Sequence, residues 1–155
     1  MKVVTADWLP YRLPLKRPWQ SSQGVLSERC GRLLRLKTDD GRIGWGDSSP
    51  LPEFGISKTD ATSFAEELAY LDLASQKAGL PLNSWLSGEA PAASTAVNAN
   101  LGSIFSLNDE LVAAALASGF SVLKTKVGLG QWQDEIARLQ KLSNCLPLGA
   151  KFRLD

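Results

Sequence analysis

Residues Ser121 to Gly128 read SVLKTKVG, a strand-forming apolar run interrupted on alternate positions by Lys124 and Lys126. An unpaired ammonium is among the costliest groups to bury, so two of them in such a strand need a purpose. The strand period of two puts Val122, Lys124 and Lys126 on one face and Leu123, Thr125 and Val127 on the other. The run AKFRLD repeats the design, with Phe152 and Leu154 on one face and Lys151, Arg153 and Asp155 on the other. Neighbouring strands of this kind would aim a pair of amines and a carboxylate at one cavity. The chain has no histidine, so a Ser-His-Asp triad, an HExxH zinc site and an imidazole base are excluded within it. Any acid or base must be Lys, Asp, Glu, Tyr or Cys. Alternating lysines also mark edge strands guarded against aggregation, but the helical sequences on both sides of SVLKTKVG argue against an edge. Asp155, taken without its FRLD context, reads as a solvated chain end.

The elements that must position these groups follow from the hydrophobic period. VVTADWLPYRLPL and GRLLRLKTDDGRIGWGDSSPL read as strands, with a tight hairpin turn at Asp39, Asp40 and Gly41. Pro50 and Pro52 close this antiparallel opening. TDATSFAEELAYLDLASQKAG then reads as a helix with Thr59 or Asp60 as N-cap, an apolar face at Phe64, Leu68, Leu71 and Leu73, and a stop at Gly79. LNSWLSG is a second short helix. From about residue 94 the pattern alternates strictly: STAVNANLG as strand, SLNDELVAAALASG as helix, SVLKTKVG as strand, GQWQDEIARLQKLSNCL as helix and AKFRLD as strand. Strands separated by amphipathic helices of that length are right-handed parallel βαβ units. An open doubly wound sheet would be apolar on both faces. A barrel strand instead can point polar groups into the barrel mouth at its C-terminal end, where the lysines sit.

The 155 residues, 44% hydrophobic and 21% charged, suffice for a core of ordinary size. The net charge of +1, from 17 basic and 16 acidic residues, leaves no electrostatic footprint for nucleic acid or an anionic membrane. The N-terminal stretch meets Pro10, Pro14 and Pro18 before any long apolar run, so no signal peptide or span is expected and the cytoplasm is the expected location. Cys30 and Cys145 lack zinc-knuckle or redox spacing and are expected as small, buried or half-buried side chains. Trp8, Trp19, Trp45, Trp85 and Trp132 are expected in core or half-buried packing. GRIGWG more readily permits tight strand packing than cradles a phosphate, because no strand-to-helix turn follows it.

LKTKVG, followed one βα unit later by FRLD and preceded by GWGDSSPLP and LDLASQKAGLPL, resembles the muconate-lactonizing branch of the enolase superfamily. Within the branch, SSPLPEFG and VNANLGS are most similar to the o-succinylbenzoate synthases of menaquinone or phylloquinone synthesis. The resemblance covers essentially the whole chain. It implies an α+β N-terminal capping domain over residues 1–92, followed over 93–155 by the first βα units of a TIM (β/α)8 barrel, the barrel incomplete in this chain. It implies Lys126 as the base that removes a proton alpha to a carboxylate, Lys124 beside it as a second catalytic lysine, and Asp155 as a carboxylate ligand of Mg²⁺. These roles are chemically coherent. A carbon acid alpha to a carboxylate is weak, and a lysine can act as its base when like charge and partial burial disfavour the protonated amine. The family's substrate-selecting loops correspond to PWQSSQG and SPLPEFG, which makes Trp19, Ser21, Ser22, Pro52, Glu53 and Phe54 substrate-binding candidates, together with Arg153.

The implied reaction is Mg²⁺-assisted proton abstraction and loss of water from a small cyclohexadiene carboxylate. N-acylamino acid racemases and dipeptide epimerases share the motifs, so that activity stays open. Two departures from the family pattern stand out. Few residues separate SPLPEFGIS from FAEELAYLDLA, so the cap looks shortened. A whole barrel takes about 200 residues or more, so further metal carboxylates and the distal lysine are expected outside these strands. A truncated, non-catalytic domain that self-associates or needs a missing C-terminal barrel segment is therefore a third reading, and the 155 residues alone are expected to be inactive.

Overall fold

The computed structural model describes residues 1–21 and 24–155, which form two compact units, Met1–Ala92 and Ala93–Asp155. In the first, β1 (Val3–Ser21) and β2 (Gly24–Thr38) make a long antiparallel hairpin, and β3 (Ile43–Ser48) pairs with β2 to complete a sheet of order β1-β2-β3. The turn into β3 is the one expected at Asp39-Asp40-Gly41. Gly41 takes φ +87°, and the buried Thr38 hydroxyl donates to Asp40 Oδ1 at 2.5 Å.

One helix, α1 (Lys58–Ala78), covers this sheet. Its N-cap is Ser57, ahead of the expected Thr59 or Asp60. Ser57 Oγ accepts from Asp60 N at 3.1 Å and the Asp60 carboxylate accepts from Ser57 N at 3.2 Å, a reciprocal capping box. The stop at Gly79 stands, with φ +69°. The buried face is the expected one only in part: Leu73 is fully buried and Leu68 and Leu71 are half-buried. Ala61, Ala65, Ala69 and Leu73 form the buried stripe, while Phe64 is 59% exposed. The reason lies in β3: a Cβ on Gly46 would stand 1.8 Å from the Ala65 carbonyl oxygen, and one on Gly44 2.4 Å from that of Ala69. Helix and strand approach so closely here that β3 has no room for a Cβ at either position, and the glycines of GWG serve packing, as their sequence suggested. The free edge of β3 is satisfied by the same helix. Asp72 Oδ2 accepts from Trp45 N at 2.9 Å and Gln76 Nε2 donates to Ile43 O at 2.7 Å. A short helix α2 (Leu82–Ser87) follows.

In the second unit β4 (Ala99–Ser103), α3 (Asp109–Ala117), β5 (Val122–Lys126), α4 (Trp132–Ser143) and β6 (Lys151–Leu154) alternate as expected. The strands are parallel in the order β4-β5-β6, so β5 is the central strand and its lysines do not guard an edge. Leu123, Ile104, Leu107, Val112, Ala115 and Leu142 make the core between sheet and helices. At about 25 cal/mol per Å² of apolar surface, the larger of these side chains each contribute on the order of 2 kcal/mol. α3 starts at Asn108, whose side chain accepts from Leu111 N at 2.9 Å.

Three further expectations change. Cys30 and Cys145 are both exposed, their sulfurs near only Glu28 Oε1 and Lys141 O among the hydrogen-bond contacts described. Trp45, Trp85 and Trp132 are exposed, Trp132 at 64%, because each lies on the outward side of its element. The stretch PWQ, expected in a loop, continues β1 past an irregularity between Pro14 and Trp19 and pairs Trp19 with Leu26. Among the described residues no helix is long and apolar enough to cross a membrane.

Candidate active site

The C-terminal end of β5 is positioned by what lies behind it. Leu123 and Thr125 are fully buried against the helices, and the Thr125 hydroxyl donates to the Gly102 carbonyl of β4 at 2.9 Å. With that face fixed, Lys124 and Lys126 project from the opposite one, both half-buried. Lys124 is in register with Asn100 of β4 and Arg153 of β6, and Lys126 with Ser103. Asp155 extends the β6 ladder by one residue: its N–H donates to Thr125 O and its carbonyl accepts from Val127 N, both at 3.0 Å. Its carboxylate then meets the amine, with Asp155 Oδ2 3.0 Å from Lys124 Nζ at side-chain exposures of 44% and 29%. Arg153, on the same face, donates from Nη1 to Asn98 Oδ1 at 3.0 Å, across the line of β5. A cation-and-carboxylate cluster thus occupies one face of the sheet beside its C-terminal end. That face can hold an anionic group against Lys124 and Arg153 and offer an amine to its neighbouring C–H.

Sequence reasoning missed the residues that hold the strand ends. Glu135 of α4 is only 6% exposed, and its carboxylate accepts from the N–H groups of Gly128 (2.8 Å), Leu129 (2.9 Å) and Gly130 (3.2 Å). The Gly128 N–H, first among these donors, holds the Glu135 carboxyl below the ordinary glutamate range. One turn later Arg138 donates from Nε to Ile104 O at 2.8 Å and from Nη2 to Leu107 O at 2.5 Å, fixing the 3₁₀ turn after β4. A signal was present: Glu135 falls on the helical face of Leu139 and Leu142, where a charge needs a buried partner.

The remaining candidates lie in the first unit. The rings of Trp19 and Phe54 stack at 5.3 Å between centroids, 12° from parallel. Together with Leu26 and Glu53 they border a cavity of about 160 Å³. Pro52, Glu53 and Phe54 form an exposed 3₁₀ turn closed by the Leu51–Ile56 bridge. The backbone of Ser21 pairs with Gly24 at the end of β1, and Ser22 lies outside the described residues.

An antiparallel cap followed by parallel βα units whose strand ends carry the ionisable groups is the beginning of a capped (β/α)8 barrel, the fold of the enolase superfamily. The chain's homologues and structural neighbours are members of that superfamily, o-succinylbenzoate synthases and dipeptide epimerases among them. It is 29% identical over 171 residues to the o-succinylbenzoate synthase of Thermosynechococcus vestitus, covering 96% of this chain and 50% of that protein. It is 23% identical over 195 residues to the L-Ala-D/L-Glu epimerase of Bacillus subtilis, covering all of this chain and 52% of the epimerase. The crystal structure of the o-succinylbenzoate synthase from Thermosynechococcus elongatus, complexed with Mg in its active site, superposes with a TM-score of 0.65 at 29% identity, over 97% of this chain and 51% of that one. The chain spans about half the length of the curated relatives it matches. No protein-family model matches it.

Mg²⁺ selects anionic oxygen donors and is commonly held by one or two carboxylates, with water and substrate completing the shell. Asp155 carries such a carboxylate, partly exposed and in contact with Lys124. Among the described residues no three Asp, Glu, His or Cys side chains converge into a metal cage, so the rest of the shell is not filled by them.

Proposed function

We propose that this chain contributes the lysine-bearing side of the active site of an o-succinylbenzoate-synthase-like hydro-lyase of menaquinone or phylloquinone synthesis. The substrate is a cyclohexadiene carboxylate bearing a hydroxyl on the carbon next to the acidic one, beta to the carboxylate. Lys126, as the neutral amine, takes the proton alpha to the carboxylate. The C–H electron pair becomes the new double bond as the C–O bond breaks, and the hydroxyl leaves as water on taking a proton back from the Lys126 ammonium, giving the aromatic product. Lys124 and Arg153 hold the substrate carboxylate and keep positive charge beside the reacting carbon. Asp155 would hold Mg²⁺, which supplies positive charge against the negative charge developing on the carboxylate oxygens. Trp19, Ser21, Ser22, Pro52, Glu53 and Phe54 are the proposed substrate-selecting residues, and the Trp19–Phe54 stack suits a planar, apolar ring.

The observation that carries this reading is the Lys124–Asp155 contact on the strand face that Lys126 shares. The 29% identity to an o-succinylbenzoate synthase favours dehydration over the 23% epimerase likeness. Epimerisation is the second reading: it uses the same abstraction but needs a proton donor on the opposite face of the carbon. The chain spans about half the length of its relatives, and its described residues bring no three metal-ligating side chains together, so either reading calls for further groups to complete the site. In whatever full-length or complemented form is active, the protein is assayed with Mg²⁺ on the cyclohexadiene carboxylate and on L-Ala-D/L-Glu. Appearance of the aromatic chromophore without epimerised dipeptide supports the hydro-lyase; the reverse result assigns the epimerase.

A further inference from the structure

Three consecutive backbone N–H groups, those of Gly128, Leu129 and Gly130, converge on one carboxylate, that of Glu135. Such a concavity of amides is an anion site, and here the protein fills it from within. Gly128 takes φ +77°, so the chain turns sharply there, two residues after Lys126. Between them Val127 N–H is tied to the Asp155 carbonyl at 3.0 Å. The backbone leaving Lys126 is therefore pinned twice in succession, first to β6 and then to α4. Arg138, on the next turn of α4, does the same for the segment after β4 by binding the Ile104 and Leu107 carbonyls. One helix thereby anchors both loops that follow the strands carrying Ser103 and Lys126, residues in register with each other.

From this geometry we infer that Glu135 is a positioning residue for Lys126, acting through the Gly128–Gly130 loop, with Arg138 holding the adjoining loop. The inference rests on the reading of Lys126 as the base. A lysine base works only when its amine is held within hydrogen-bond reach of the proton it removes, and small displacements of such a group cost about a hundredfold in rate. The placement of the Lys126 amine starts from its backbone, and that backbone is fixed by the loop that follows it. Glu135 accepts three N–H groups and needs both carboxylate oxygens to do so. An amide in its place would turn an NH₂ toward one of these donors, while an aspartate keeps the charge and shortens the reach.

The test compares the protein with its Glu135→Gln and Glu135→Asp variants. Amide hydrogen exchange at 128–130 and competitive labelling of lysine amines followed by mass spectrometry are read first, and neither depends on activity. Labelling of Lys126 is expected to change about threefold or more in Glu135→Gln, with Lys58 in the other unit unchanged, and protection at 128–130 to fall. Where the protein catalyses exchange of the proton alpha to a carboxylate, kcat of Glu135→Gln is expected to fall about 10- to 100-fold with KM changed less than about twofold. Glu135→Asp should recover part of kcat. If Glu135→Gln does not fold, Arg138→Gln and Glu135→Asp carry the same measurements. Unchanged Lys126 labelling, or lost loop protection with unchanged kcat, overturns the positioning role. A protein without any alpha-proton exchange, but with altered Lys126 labelling in the variant, overturns the proposed reaction and leaves the positioning role supported.

Discussion

Lys124 and Asp155 come from neighbouring parallel strands and meet with Nζ and Oδ2 3.0 Å apart. Both side chains are partly exposed, so solvent screens the pair and it is worth about 1 kcal/mol or less to the fold. A double-mutant cycle with Lys124→Ala and Asp155→Asn, followed by urea unfolding, is expected to give a coupling energy of about that size. In the proposed function the importance of the pair lies in bringing a carboxylate, the proposed metal ligand, and an amine to one face beside Lys126. A coupling of several kcal/mol would make the pair a structural element instead.

Gly46 is expected to be far less tolerant than its place in an exposed-edge strand suggests. Its added Cβ would stand 1.8 Å from the Ala65 carbonyl oxygen, an atom of the helix backbone that cannot turn aside. Gly46→Ala should cost about 1–3 kcal/mol or more by forcing α1 off the sheet. A melting temperature equal to that of the unsubstituted protein would contradict the packing described.

Removal of the Ser57 cap gives a smaller effect. Ser57→Ala loses the acceptor for Asp60 N–H and half of the capping box, which is worth about 1 kcal/mol. Equilibrium urea unfolding measures it, and an unchanged midpoint would show that the helix starts elsewhere.

Glu135 makes stability depend on pH in a definite direction. Its folded carboxyl lies below the ordinary glutamate range, chiefly because Gly128 N–H binds the ionised form. Its contribution is therefore fully present above the unfolded value and is lost as pH falls through the lowered folded value. The stability gap between the protein and Glu135→Gln is expected to be widest near neutrality and to narrow in acid. Unfolding midpoints across the acid range check this, and a gap independent of pH would show that the ionised carboxylate is not what stabilises the loop.

The sequence made the βα alternation legible because each strand in the second unit is short, bounded by Gly or an N-cap, and flanked by a helix. The parity of Leu123 and Thr125 against Lys124 and Lys126 then followed from the strand period alone. The face of α1 followed from hydrophobicity only in part: Leu73 is buried as the period suggests, but Phe64 is exposed, and Ala65, Ala69 and Leu73 are what meet Gly44 and Gly46 at the contact. The extension of β1 through Trp19 was hidden by Pro14 and Pro18, which read as breakers yet are accommodated at an irregularity in the pairing. Glu135 went unread because three donors from one loop are a tertiary feature; only its place on an apolar helix face hinted at them.

The central claim is that Lys126 removes the proton alpha to a carboxylate, and the most direct measurement is solvent exchange of that proton. In whatever full-length or complemented form is active, the protein and its Lys126→Ala variant are incubated with Mg²⁺ and the cyclohexadiene carboxylate in deuterium oxide, and deuterium incorporation and aromatic product are followed by NMR and mass spectrometry. Circular dichroism shows whether the fold is retained. The variant is expected to keep its spectrum and to lose exchange and product formation by at least about a hundredfold, since alanine cannot take a proton. Exchange at a near-normal rate in a folded Lys126→Ala protein would contradict the assignment of Lys126 as the base.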